Sequence, residues 1–214
     1  MSKKKALFIG AHFDDLEIAC GGTIQALVKN KYQVYLQIIT SSEIISFDQK
    51  KELRNSIQAK ENFKKSCKIL GVSKYFLGNF KTNKLVLNDN LVLEIRKVIN
   101  LIKPELVFTH WSGDVHQDHR AVGLASASAS RHVNNLLMFQ SNLYSGGSNF
   151  VDNFYVDTTK FFKKKISALK CYKSELKRVK NIWIKNIKNK DSLNGSKIKS
   201  KYAESFMCIK FKIF

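Results

Sequence analysis

The feature that most limits the folds open to this chain is an alternation of short apolar runs with helix-like stretches. Residues 5–10 (KALFIG), 32–40 (YQVYLQIIT), 74–77 and 106–109 (LVFT) read as strands, the first closing on Gly10. Runs this apolar suit parallel strands covered on both faces. Helical stretches lie between them. One opens at Gly21-Gly22-Thr23, with Thr23 as N-cap, and continues through Lys29. Another covers 50–70 and ends on Gly71, a good C-cap. Residues 91–102 carry apolar positions at helical spacing before Pro104, and 121–133 form a small-residue helix. The alternation predicts an α/β chain with a mostly parallel sheet and helices on both faces. Further on, 154–156 and 207–211 read as strands, and 166–187 as one long basic helix or two.

No Pro/Gly/Ser-rich linker divides the 214 residues, so 1–214 is expected to form a single domain with a sizeable core. At 44% hydrophobic and 25% charged, the composition is that of a globular protein. The lysines at 3–5 resemble the start of a signal peptide. The apolar run from Ala6 to Ala11 is too short to continue one, and His12, Asp14 and Asp15 follow at once. No run reaches the roughly 18 apolar residues of a spanning helix, so no transmembrane segment and a cytoplasmic location are expected. Cys20, Cys67, Cys171 and Cys208 are far apart and form no CxxC pair, which predicts reduced thiols.

Net charge is +20, and residues 160–214 hold 17 Lys/Arg against three acids. Such a balance suits nucleic acid, an anionic membrane surface or a phosphorylated substrate. It also suits the drift of an A+T-rich genome. Only five of the 37 basic residues are Arg, the side chain that base readers favour, so no nucleic-acid partner is expected.

Two acid- and histidine-rich motifs follow strands. AHFDDLE (11–17) comes directly after the first, and HQDHR (116–120) shortly after the fourth. Strand carboxyl ends are where open α/β sheets bind ligands, so the fold can bring both motifs together. Three of the five histidines lie in these motifs, and His110 ends the neighbouring strand. Two imidazoles and a carboxylate satisfy a catalytic zinc site with one position left for water. The same donors suit ferrous iron.

The segments AHFDDLEIACGGT and HWSGDVHQDHR resemble the two signatures of the PIG-L/LmbE-like deacetylases, AHPDDxExxxGGT and a motif ending HxDHR. Weaker similarities follow at Ile69-Leu70-Gly71, CYKSE (171–175) and YAESF (202–206), so the likeness runs nearly the full length. The resemblance implies a Rossmann-like three-layer fold, zinc, and removal of acetyl from an N-acetylated amino sugar. By position it puts the metal ligands on His12, Asp15 and His119, the general base on Asp14 and the oxyanion-side histidine on His116. It makes Asp118 the acid that favours a charged His116 by hydrogen bonding and proximity. Bound zinc would lower the pKa of water from about 15.7 toward about 7.

Phe13 replaces the family's usual Pro and is expected to narrow or shield the pocket as a candidate substrate contact. Trp111, Asp114 and Arg120 are candidate substrate contacts, each with a structural alternative. Glu17 is a candidate supporting residue, and the amides near Gly21–Thr23 could face a bound group. The family's Arg-x-x-Glu is not matched: Gln58 stands three before Glu61, and Arg54 lies one turn further back. The expected substrate is a small N-acetylated sugar, with phosphate favoured by the basic surface and a homo-oligomer left open. A zinc amidase on a non-sugar amide, and a metal-binding protein with little catalysis, are the rivals; Asp14 and His116 argue against the latter.

Overall fold

The computed structural model describes residues 3–45, 52–142, 144 and 149–212. Seven strands form one sheet: β1 (Lys5–Gly10), β2 (Gln33–Thr40), β5 (Lys74–Phe80), β6 (Leu106–His110), β7 (Asn135–Phe139), β8 (Phe154–Asp157) and β9 (Ala203–Lys210). Two short strands, β3 (Ile44–Ile45) and β4 (Glu52–Arg54), pair separately. The sheet order is β5-β2-β1-β6-β7-β9-β8. The first five run parallel, and β9 lies antiparallel to both β7 and β8. The connection from β1 to β2 goes one way across the sheet, while β6 lies on the other side of β1. The crevice between β1 and β6 is therefore the point where strand order reverses, which is where such sheets open a ligand site.

Alternate residues of β1 explain the layers. Ala6 and Phe8 point into one core with Leu16, Ile24, Phe63 and Phe206, and Phe8 stacks on Phe108 with centroids 4.3 Å apart. Leu7 and Ile9 point the other way, toward Ile95, Val98 and Val122. Helices α1 (Asp15–Lys29), α2 (Ser56–Leu70) and α5 (Phe162–Leu169) cover the first face. Helices α3 (Asp89–Ile102) and α4 (Gln117–Ala129) cover the second. The result is the three-layer, mostly parallel architecture expected. Among the described residues no helix is long and apolar enough to cross a membrane.

Several boundaries differ from expectation. α1 starts at Asp15, so Gly21 and Gly22 lie inside it and Thr23 is no cap. Tertiary packing overrides their poor helix propensity. A Cβ on Gly21 would meet Lys165 Cγ at 2.9 Å, and one on Gly22 would meet Thr158 Cβ at 2.6 Å. The amides of Gly22 and Thr23 donate to Glu204 at 2.8 and 2.7 Å, so they face this carboxylate and no ligand. α2 begins at Ser56 because Asn55 caps it, accepting from the Ile57 and Gln58 amides; Lys50 and Lys51 lie outside the described residues. Gly71 closes α2 at φ 73°, as its left-handed preference requires. The basic stretch 166–187 is divided among α5, α6 (Lys173–Arg178) and α7 (Ile182–Lys197). Strand β7, an asparagine followed by four apolar residues, was not expected.

Candidate active site

Both motifs reach the crevice from strand ends. β1 delivers His12, and α1 starts at Asp15 beside it. Between them Asp14 takes φ 94°, an uncommon conformation for a residue with a side chain. Partners hold it there. The Phe13 amide donates to Ser42 Oγ at 2.8 Å, and Arg54 donates through Nη2 to the Phe13 carbonyl at 2.6 Å and through Nη1 to Asp14 Oδ2 at 2.7 Å. From the other side, α4 carries His119 in its first turn, with His116 as N-cap.

His12, Asp15 and His119 can each offer a ligand atom, all within 4.8 Å of one another. His12 Nδ1 lies 3.4 Å from Asp15 Oδ2, and His119 Nε2 lies 3.3 Å from Asp15 Oδ1. Ligand atoms bound tetrahedrally to zinc at 2.0–2.1 Å are separated by about 3.3 Å, so these spacings fit such an ion. The far nitrogen of each imidazole meets a carboxylate. His12 Nε2 is 2.9 Å from Asp118 Oδ2, and His119 Nδ1 is 3.3 Å from Asp114 Oδ2. That is the arrangement that orients metal-binding histidines. Asp15 Oδ2 accepts the His12 amide at 2.8 Å and lies 3.1 Å from His110 Nε2, which leaves Oδ1 toward His119.

The electrostatics follow from this packing. Burial opposes charge on His119, but Asp15 and Asp114 outweigh it and hold the imidazole up near 10. Burial likewise opposes ionisation of Asp15, yet His119 and His110 keep its carboxyl well below the usual range. The cluster thus draws positive charge into a buried position. Asp14 is pushed up to about 7 by burial, against the pull of Arg54. His116 is pushed down to about 4 by burial and by the neighbouring imidazoles of His119 and His12.

His116 stands at the N-cap of α4. Its Nδ1 accepts the Asp118 amide at 3.2 Å, so the neutral ring carries its proton on Nε2. Asp118 turns its carboxylate to His12 and to the amides of Asn83 and Leu85, at 2.7 and 3.1 Å, so it acts on His116 through its nearby charge, which favours the protonated ring, and not through a side-chain hydrogen bond. A cavity of about 550 Å³ opens over His12, Asp14, Asp15, His116 and His119. None of Phe13, Trp111, Asp114 and Arg120 lines it. Phe13 is buried against Phe63, with ring centroids 4.9 Å apart, and Trp111 packs on Phe150. Asp114 accepts from Asn142 and the His116 amide besides facing His119. Arg120 is spent on the Asp114 and Val115 carbonyls. Glu17 is fully buried, where it accepts from Ser66 and Tyr172 away from the metal ligands.

Comparison with known proteins agrees with this geometry. A family model described as PIG-L, GlcNAc-PI de-N-acetylase, matches residues 7–130, which contain both motifs. The chain belongs to the PIG-L family. It is 29% identical over 183 residues to the uncharacterized deacetylase YaiS of Escherichia coli K12, covering 80% of this chain and 92% of that one. It is 26% identical over 195 residues to the diacetylchitobiose deacetylase of Thermococcus kodakarensis, covering 84% and 72%. Among solved structures, the N,N'-diacetylchitobiose deacetylase of Pyrococcus horikoshii superposes with a TM-score of 0.82 at 21% identity, over 96% of this chain and 84% of that one. That likeness shows the fold.

Arg54 was the functional residue hardest to find. It stands 40 positions from Asp14, inside the stretch expected to be helix but outside the Arg-x-x-Glu spacing, and the structure places it in β4. Its only signal was being a rare Arg in a chain that otherwise uses Lys, since a planar fork can grip a carboxylate and a carbonyl together.

Proposed function

We propose that this PIG-L family member is a metal-dependent deacetylase that removes acetyl from an N-acetylated amino sugar. The observation carrying the reading is a three-ligand cluster, each histidine backed by a carboxylate, beneath a cavity that also presents Asp14 and His116. His12, Asp15 and His119 would hold the ion, zinc in this reading, with ferrous iron as the alternative. A bound divalent ion would polarise the amide carbonyl and acidify water.

The remaining work belongs to side chains. Asp14, near 7, is poised to take a proton from the attacking water at neutral pH and return it to the departing nitrogen. Arg54 keeps its carboxylate in place. His116 supplies an Nε2 proton donor toward the developing oxyanion, a contribution of roughly 3 kcal/mol for one such donor. Water's oxygen bonds to the carbonyl carbon, the C–N bond breaks, and acetate and the free amine leave. Lys190, which donates to the Gln140 carbonyl, and Arg178, paired with Glu175, line the cavity, and the net charge of +20 supports a substrate bearing phosphate or another anion. The four free cysteines support a cytoplasmic setting, and the continuous sheet supports one domain over 1–214.

The test is amine release from N-acetylated sugars and nucleotide-sugars with zinc or iron supplied. Asp14→Ala should nearly abolish release with metal content near normal, and Asp15→Ala should lose metal as well. Turnover that survives Asp14→Ala removes the assigned base.

A further inference from the structure

Lys190 takes no part in the amide chemistry above, yet it shares the cavity with the metal cluster. It lies on α7, on the face that also carries the buried Ile187 and Asn194, and it lines the cavity of about 550 Å³. Its Nζ donates to the Gln140 carbonyl at 2.8 Å. The next residue, Ser141, places its Oγ 3.4 Å from His119 Nδ1. The amine is therefore anchored one residue away from a side chain that touches a metal ligand.

An ammonium drawn this far out of water is ordinarily met by a carboxylate. Here the nearby carboxylates are taken. Lys165 holds both Asp191 Oδ2 and Glu204 Oε1 at 2.7 Å, and Glu204 also accepts the Gly22 and Thr23 amides. Among the described residues no acid forms an ion pair with Lys190. The titratable groups around it are Lys165, Asp191, Glu204 and Cys20, whose thiol is kept protonated by burial. Burial, and after it the charge of Lys165, pushes the Lys190 amine down to about 8, and the two acids oppose this without reversing it. A lysine that only tied α7 to the end of β7 would gain from an acid partner and has none. Desolvation and a neighbouring cation are instead the two devices that turn a lysine into a nucleophile toward carbonyl carbon.

We infer that Lys190 is a nucleophilic amine that captures aldehydes entering the cavity as an imine. Nζ adds to the carbonyl carbon, its two protons leave with the carbonyl oxygen as water, and a C=N bond remains. No oxidant or reductant takes part. A reducing sugar in its open-chain form carries such an aldehyde. The step needs no metal ion and breaks no amide, so it stands or falls apart from the deacetylase reading.

The experiment treats the zinc-loaded full chain with glycolaldehyde and sodium cyanoborohydride, which reduces an imine to a stable secondary amine, and follows each modified lysine over time by peptide mass spectrometry. At about pH 7.5 roughly a quarter of an amine titrating near 8 is neutral, against about one in a thousand for an ordinary lysine near 10.4. Lys190 should therefore be modified at least about tenfold faster than Lys185 and Lys188, exposed positions on the same helix. Lys190→Arg, which keeps a cation for the Gln140 carbonyl, should lose the fast adduct while the slow ones persist. In the parent chain unfolded by guanidinium chloride, position 190 should fall to the rate of its two neighbours, because the activating surroundings are gone. Equal initial rates at 185, 188 and 190 in the folded chain, or a fast rate at 190 that survives unfolding, overturn the proposal.

Discussion

Replacing Arg54 with Met should move the acidic limb of the activity profile upward. Arg54 is 6% exposed, and its guanidinium lies 2.7 Å from Asp14 Oδ2. Burial already pushes Asp14 up to about 7 with Arg54 as the largest opposing influence. Two unit charges near 4 Å apart interact by about 4 kcal/mol at an effective dielectric of 20, equal to roughly three pKa units. Relaxation and water entry reduce this, so the expected rise is about one to three units. The carboxyl would then be mostly protonated at neutral pH and unable to take a proton from water. kcat/KM at pH 7 should fall by about 5- to 500-fold, the drop in ionised carboxylate from about one half, and recover in part as pH rises. Metal content should hold, because Arg54 touches none of His12, Asp15 and His119. Stability should also fall, and the sign of its pH dependence is fixed. A native Asp14 that keeps its proton above the unfolded value binds more protons than the unfolded chain, so variant stability declines as pH rises from the ordinary carboxyl range through the native value. Steady-state profiles, metal analysis and urea titrations at pH 5 and 8 measure all three. A profile that superimposes on the parent, at equal metal content, refutes the assignment of Arg54 to Asp14.

Asp114→Asn removes the charge behind His119, and zinc affinity should drop about 10- to 100-fold by competition with a chelator; an unchanged affinity would mean that His119 is oriented by other groups. Lys165→Met leaves Asp191 and Glu204 buried without their cation, so unfolding free energy should fall by about 3–5 kcal/mol at neutral pH in urea titrations. A loss under about 1 kcal/mol would indicate that the two acids find protons or water at little cost.

Residue type and local order determined much of this protein. Apolar runs without alternation require a sheet covered on both faces, and Gly71 could be read as a helix end because a left-handed φ is strained for other residues. The metal donors were legible because imidazole and carboxylate are rare together in the places where strands end. Three-dimensional packing decided what local pattern could not express. Gly21 and Gly22 look like a helix start but lie within α1, since the close approach of Lys165 and Thr158 excludes a Cβ there. Asp118 was expected to hydrogen-bond His116, two residues away, and its carboxylate instead meets His12, 106 residues away, because the start of α4 packs it across the crevice. Asp114 turned from a sugar contact into the partner of His119 by the same means. Arg54 became the grip on Asp14. Composition and spacing declare which atoms are available; direction in space, set by the fold, chooses their partners.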